Sequence, residues 1–403
     1  MDSSELGRTV PREPRGILCF AGLDWWYHNR AHSDFQLMVR AAAQRDVLLV
    51  NSIGMRMPLP GRSPQPFRRI ARKAASVARF VRRPLASTPR LQVFTPLMLP
   101  LYGSSWGRKV NANLVAAQVR VLLRALGIDR PIVLATLPTA WEVVQRIPHR
   151  HLIFNRSDKH SEFGEVDQRF IRELEQLLLA NSDAVLYVSH ELMNEERSLT
   201  GDRAHFIDHG VDLDHFRPRG ADDEPADLRE IPHPRIGFFG GFDNYIIDFD
   251  LLEHLARAIP HAHLVLIGDA TCSMARLEVY PNVHWLGFRP YDDIPRYGSH
   301  FDVAIMPWLK NDWIRRCNPI KLKEYLALGL PIVSTDFPEV RYYDSVVQIA
   351  SDASDFVRLV EKSLSDGGLG SPELRRARVE GASWDAITNR LLRICDQLAA
   401  GDD

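Results

Sequence analysis

Short apolar runs alternate with amphipathic stretches along the whole chain, the pattern of strands and helices in an α/β protein. Residues 16–22 (G-I-L-C-F-A-G) are apolar and end in glycine, as a buried parallel strand entering a tight loop should. A helical pattern at 33–45 and a strand at 47–50 complete a βαβ unit. Further strands are expected at 91–101 (proline-broken, so running into a loop), 131–136, 151–155 and 184–188. Helices are expected between them at 108–126, 139–146 and 165–180. Residues 221–234 are acidic and proline-rich, which predicts an exposed linker. A second series then begins, with strands at 235–239, 263–267, 283–286, 303–306 and 331–333. Two Rossmann-like domains with parallel sheets follow from this order, at 16–215 and 235–382, joined by a linker at 216–234. Residues 1–15 are polar and expected to be disordered. Helices at 353–365 and 383–398 close the chain.

The densest chemistry lies in R-R-C-N-P-I-K-L-K-E-Y-L-A-L-G, residues 315–329. Asn318 reads as a helix N-cap, Pro319 as the first helical residue and Gly329 as the left-handed stop. Lys321 and Lys323 sit in the first turn, with Arg315 and Arg316 just upstream. Cations at the positive end of a helix dipole make sense if an anion binds there, where free N–H groups also point. Glu324, one turn after Lys321, is placed to hold ribose hydroxyls, so the stretch reads as a nucleotide-diphosphate site. Gly240 and Gly241, after the strand at 235–239, allow backbone N–H groups to approach phosphate. Gly268, Phe288 and Arg289 lie at further strand ends, facing the base. The first βα loop lacks G-x-G-x-x-G, which argues against a nicotinamide cofactor.

At the strand ends of the first domain, Gly22, Asp24, Arg30 and His32 are placed to line a cleft. Asp158 follows the strand at 151–155 and is placed as a general base for a hydroxyl; Asp24 is the second candidate catalytic carboxylate. Either also reads as an ordinary loop residue, Asp158 as a cap or a partner of Lys159. The D-x-D triplets Asp212/Asp214 and Asp248/Asp250 lie in a linker motif and at a helix start, so neither reads as a metal site.

Charge changes the picture. The 403 residues carry a net charge of −1, yet residues 47–128 hold fourteen Lys/Arg and no Asp or Glu. From 67 to 83, one helical stripe is apolar (Phe67, Ile70, Ala71, Ala74, Val77, Ala78, Val81). The other side carries Arg68, Arg69, Arg72, Lys73, Arg79, Arg82 and Arg83. Two readings stand: a membrane-surface helix attracted to anionic lipid, or a core-facing helix with a solvated basic face. No nucleic-acid motif accompanies the charge, so nucleic acid is not an expected partner. The four cysteines are scattered, which fits a reducing cytoplasm, and no apolar run reaches the length of a membrane span.

The run N-P-I-K-L-K-E-Y-L-A-L-G-L-P-I-V-S-T resembles the donor-site helix of two-domain GT-B glycosyltransferases. It is most similar to family 4-like enzymes of bacterial exopolysaccharide and teichuronic-acid-type synthesis. S-H-E-L and I-D-H-G-V-D-L-D-H-F-R-P (207–218) are similar to that family's domain-junction segments. The resemblance implies that Glu324 holds the ribose, that Lys321 faces the diphosphate, and that the last helix (383–403) crosses back to the first domain. It also implies sugar transfer from a UDP-sugar, without metal, to a lipid-linked or other hydroxyl acceptor. The place would be the inner face of the plasma membrane, on a peripheral cytoplasmic protein. One position departs: where many relatives place a sugar-contacting glutamate, this chain has Arg316. A nucleotide-sugar 2-epimerase of the same fold and a catalytically inactive scaffold are the alternatives.

Overall fold

The structure, a computed structural model, describes residues 16–27, 32–53, 66–99, 104–163 and 167–401, except the side chains of 66–70. The expectations for residues 1–15, Arg30 and the side chains of Arg68 and Arg69 lie outside the described residues.

The first sheet contains β1 (Gly16–Phe20), β2 (Asp46–Val50), β3 (Val81–Arg82), β4 (Leu91–Phe94), β5 (Ile132–Ala135), β6 (His151–Arg156), β7 (Ala184–Tyr187) and β8 (Ala204–Phe206). Their order is β3-β4-β2-β1-β5-β6-β7-β8, parallel except for β3 against β4. The second holds β9 (Arg235–Phe239), β10 (His263–Ile267), β11 (Val283–Gly287), β12 (Val303–Met306), β13 (Ile332–Thr335) and β14 (Gln348–Ala350). Its order is β11-β10-β9-β12-β13-β14, parallel throughout. β1 and β9 are buried at all five positions, because strands covered on both faces have no polar side to present. Each is flanked by its sheet's second strand on one side and a later strand on the other. Their C-terminal ends are therefore the switch points where open α/β sheets bind ligands. The Gly22 loop leaves one; the Gly240-Gly241 loop leaves the other.

Two sequence expectations need correction. The acidic segment before β9 is not a loose linker. Phe216, Leu228 and Ile231 are buried in the second core, and Asp227 pairs with Arg289 at 2.6 Å. Its proline-rich composition hid apolar anchors spaced too far apart to show a period. The basic helix, moreover, spans Pro66–Arg79 and stops at Phe80, whose φ of 44° breaks it. Arg82 belongs to edge strand β3 and Arg83 follows it, so neither continues the helical face.

The chain crosses between domains twice, and the crossings lie side by side. Val211 and Ser383 form a parallel bridge, with Val211 N–H donating to Ala382 O at 2.8 Å and Trp384 N–H to Val211 O at 3.2 Å. The last helix (Trp384–Ala400) then packs on the helix Ser33–Ala41; Trp384, Ile387, Leu391 and Cys395 join the first-domain core. Trp384 lies against Gly210, where a Cβ would meet the indole at 2.5 Å. Truncating Trp384 to alanine should cost about 3–5 kcal/mol in urea unfolding, as large buried aromatics do. Gly210→Ala should destabilise by overpacking at the same contact.

Candidate active site

The second-domain half of the site is built where chain segments meet without room for side chains. Gly240 has φ 153° and Gly268 φ 145°, conformations that favour glycine. A Cβ on Gly268 would fall 1.7 Å from Gly240 O, and one on Gly240 would fall 2.0 Å from Lys321 Cε. The Lys321 side chain thus lies across the turn that leaves β9. The helix carrying it spans Ile320–Ala327, one residue later than the sequence indicates, with Pro319 at the cap position. Glu324 is buried one turn on. Burial pushes its carboxyl up to about 7 against the pull of the Lys321 charge. Burial likewise lowers the Lys321 ammonium from its ordinary value, opposed by Glu324. Next to them Tyr291 stacks on His215 at 4.5 Å, and its hydroxyl is raised by burial and by Glu324. Gly241 and Phe288 are exposed at the strand ends, whereas Arg289 turns away to Asp227 and donates to the Tyr297 hydroxyl at 2.8 Å.

The remaining cations of the 315–323 run are spoken for. Lys323 is fully buried and pairs with Asp208 at 2.8 Å. Asn318 does not cap the helix; it donates to Asp208 Oδ1 at 2.7 Å and to Val188 O at 2.8 Å, and accepts from Lys323 at 3.1 Å. Burial opposes ionisation of Asp208, but the Lys323 charge holds its carboxyl below the ordinary value. Arg315 pairs with Glu191 and, at 2.6 Å, with Glu195; Arg316 pairs with Glu195 at 2.7 Å and Glu162 at 3.0 Å. Arg316, expected at the diphosphate, therefore bridges the two domains. Glu339 adds a further tie, accepting from His190 N–H at 2.5 Å.

The first-domain half is organised by Asp34, which is fully buried. Its carboxylate accepts from Gly22 N–H at 2.7 Å, Thr136 Oγ1 at 2.7 Å and Asn155 Nδ2 at 3.1 Å. One side chain thereby gathers the ends of β1, β5 and β6, with His32 beside it at 3.7 Å. Asp158 follows β6. Burial pushes its carboxyl up to about 7 despite the nearby Arg156 charge. The buried Cys317 thiol, just before the donor helix, is raised by burial and by the Asp158 charge, with Lys321 opposing. His160, missed as a site residue although it lies in the same loop, is buried with Nδ1 unpartnered among the described residues. Burial and Arg156 lower its pKa to about 3, so the ring is neutral.

Asp24, the second candidate carboxylate, is buried. Its described partners are Trp26 N–H at 3.1 Å, Ser76 Oγ at 2.8 Å and Lys73 at 3.6 Å. Through them it fastens the basic helix to the first loop. Lys73, expected to face a membrane, points inward and donates to Ser52 O at 2.9 Å. Ala71, Ala74 and Ala78, read from sequence as the packed stripe, are exposed. The guanidinium groups of Arg72 and Arg79, both exposed residues, lie over the rings of Tyr27 and Trp26 at 6.0 and 4.6 Å.

The same two-sheet arrangement recurs in a sucrose-phosphate synthase from Thermosynechococcus elongatus, with a TM-score of 0.70 and 16% identity over 96% of this chain and 100% of that one. It recurs also in Anabaena HepE in complex with UDP, with a TM-score of 0.65 and 14% identity over 95% of this chain and 99% of that one. The fold is GT-B. Within it, residues 233–366 match the family described as glycosyl transferases group 1, and they span the Gly240 loop, Lys321 and Glu324. A Bacillus subtilis (strain 168) protein named as a teichuronic acid biosynthesis glycosyltransferase is 27% identical over 254 residues. That alignment covers 60% of this chain and 63% of the relative's length.

In this GT-B chain the Lys323–Asp208 pair is a buried charge contact at the domain junction. Lys323→Met alone should cost about 3–5 kcal/mol, because it strands Asp208 without its counter-ion. The double variant Lys323→Met/Asp208→Leu should regain most of that loss in chemical unfolding.

Proposed function

We propose that this chain is a glycosyltransferase that moves a sugar from a nucleoside diphosphate, UDP on this reading, to a hydroxyl of a lipid-linked acceptor in cell-surface polysaccharide synthesis. The observation that carries the proposal is the junction of Gly240, Gly268 and Lys321 beside the buried Glu324, inside the group 1 domain. The Anabaena structures with UDP and with UDP-glucose support a nucleotide-sugar donor. The name of the Bacillus relative, a teichuronic acid biosynthesis glycosyltransferase, supports a polysaccharide pathway.

On this reading the diphosphate lies against the Gly240-Gly241 turn, its charge met by Lys321 and by backbone N–H groups at the start of the Ile320–Ala327 helix. No metal enters the scheme. Glu324 accepts from the ribose hydroxyls. Asp158, raised to about 7, is poised to take the acceptor proton near neutral pH. The neutral His160 beside it offers a donor or acceptor for the sugar, in place of the glutamate that relatives carry at position 316. The first domain would meet an anionic membrane through its basic segment, placing the protein on the inner face of the plasma membrane. Among the described residues, no helix is long and apolar enough to cross a membrane.

Calorimetric titration with UDP, GDP, ADP and NAD should give binding of one nucleoside diphosphate. Glu324→Ala should weaken it by about 1–3 kcal/mol, the worth of hydrogen bonds to a charged acceptor. No nucleotide binding by well-folded protein would sink the proposal. Loss of sugar from the donor only when acceptor is present separates transfer from 2-epimerisation. Affinity for a UDP-sugar, whose phosphates do not titrate near neutrality, should rise as pH increases through about 7. Below that pH Glu324 holds its proton and is the poorer acceptor; above it the carboxylate is ionised and affinity levels off. Glu324→Gln should flatten that profile.

A further inference from the structure

Most exposed apolar side chains on this protein stand singly, which is ordinary. Four do not. Phe80 (41% exposed), Leu97 (47%) and Leu99 (43%) come from neighbouring segments at the β3–β4 edge of the first sheet, and Trp106 (65%) from the start of the helix Ser105–Ala125 that the 97–99 stretch runs along. Thr95 N–H donates to Phe80 O at 2.8 Å, which places Phe80 beside the stretch leaving β4. That stretch runs along the helix Ser105–Ala125. Leu97 N–H donates to Gln118 Oε1 at 3.0 Å, and Leu99 N–H to Asn111 Oδ1 at 2.7 Å. Met98 packs inward on the core, so the extended alternation turns Leu97 and Leu99 outward together. Trp106 stands on the first turn of the same helix, with the exposed Lys109 three residues on and therefore on its face.

The charge around this apolar face is mostly positive, although Arg108, two residues after Trp106, pairs with Glu142 at 3.7 Å. Arg82 and Arg83 are exposed beside Phe80, and the whole span 47–128 holds no acid. A second copy of the chain would bring Arg82, Arg83 and Lys109 against their own counterparts, which argues against self-association. A bilayer carrying anionic headgroups matches both features at once. Tryptophan settles at headgroup level, leucine and phenylalanine enter the acyl boundary, and arginine meets lipid phosphate.

We propose that Phe80, Leu97, Leu99 and Trp106, with Arg82 and Arg83, form a docking face that inserts shallowly into an anionic lipid bilayer. The face lies at the C-terminal end of β4, the same end of the sheet from which the Gly22 loop leaves β1. A docked protein would therefore turn the cleft end of its first sheet toward the membrane, where a lipid-linked hydroxyl would be presented. This rests on the acceptor reading above for its purpose, but the docking itself needs neither donor nor acceptor.

The test is co-sedimentation of the full chain with phosphatidylcholine vesicles, with and without phosphatidylglycerol. Binding is expected only with the anionic lipid, falling as salt is raised. Arg82→Gln/Arg83→Gln should lower the partition coefficient about 25-fold, roughly fivefold per charge. Leu97→Ser/Leu99→Ser/Trp106→Ser should lower it at least about tenfold. Thermal unfolding and UDP titration report folding of each variant. All these side chains are exposed, so both readouts should match the unmodified protein. Three results would overturn the inference: no binding to anionic vesicles, wild-type partitioning of the apolar triple variant, or a dimer abolished by that variant with no vesicle binding. Vesicle binding without nucleotide binding would sink the transferase reading and leave this one standing.

Discussion

The arrangement depends on one buried charge contact. Lys323 sits one turn inside the donor helix, fully buried, with its ammonium on Asp208 of the first crossing segment and on the Asn318 amide. Asn318 reaches on to the end of β7 through Val188 O. A charge removed from water must find its counter-ion in one geometry or not at all. The pair therefore fixes where the helix starts relative to the other domain, and with it Lys321 and Glu324. The outer pairs of Arg315 and Arg316 with Glu162, Glu191 and Glu195 are more exposed. They set orientation more than they add stability.

The donor half was largely legible in the sequence because its chemistry lies in one contiguous run with helical spacing. What the run could not reveal was which cation did what. Lys321 and Lys323 are two residues apart, about 200° around a helix, so one faces the cleft and the other the domain junction. The partners of Arg316 lie far away in the chain, and only folding brings them together. The reversal of charge at that position makes sense as a bridge to carboxylates on the opposite domain.

The first domain was harder to read. Asp34 sits in the first turn of the helix Ser33–Ala41 with no motif to single it out, yet its carboxylate binds three strand ends that nothing local connects. The basic helix misled for a different reason. Its alanines formed a convincing apolar stripe but bury too little surface to decide which face packs. Ser76 and Lys73 decided instead, because Asp24 and Ser52 offered them buried partners. Periodicity registers apolar area; here polar satisfaction overruled it.

The twin crossings at Val211 and Ser383 carry a consequence for motion. With two strands of chain bonded to each other at the boundary, the domains cannot slide past one another without breaking that bridge. Turning about the line through the pair preserves it. A swing about that line, like a door on paired pins, would keep the bridge but would have to part the Arg315 and Arg316 ion pairs that latch the two domains.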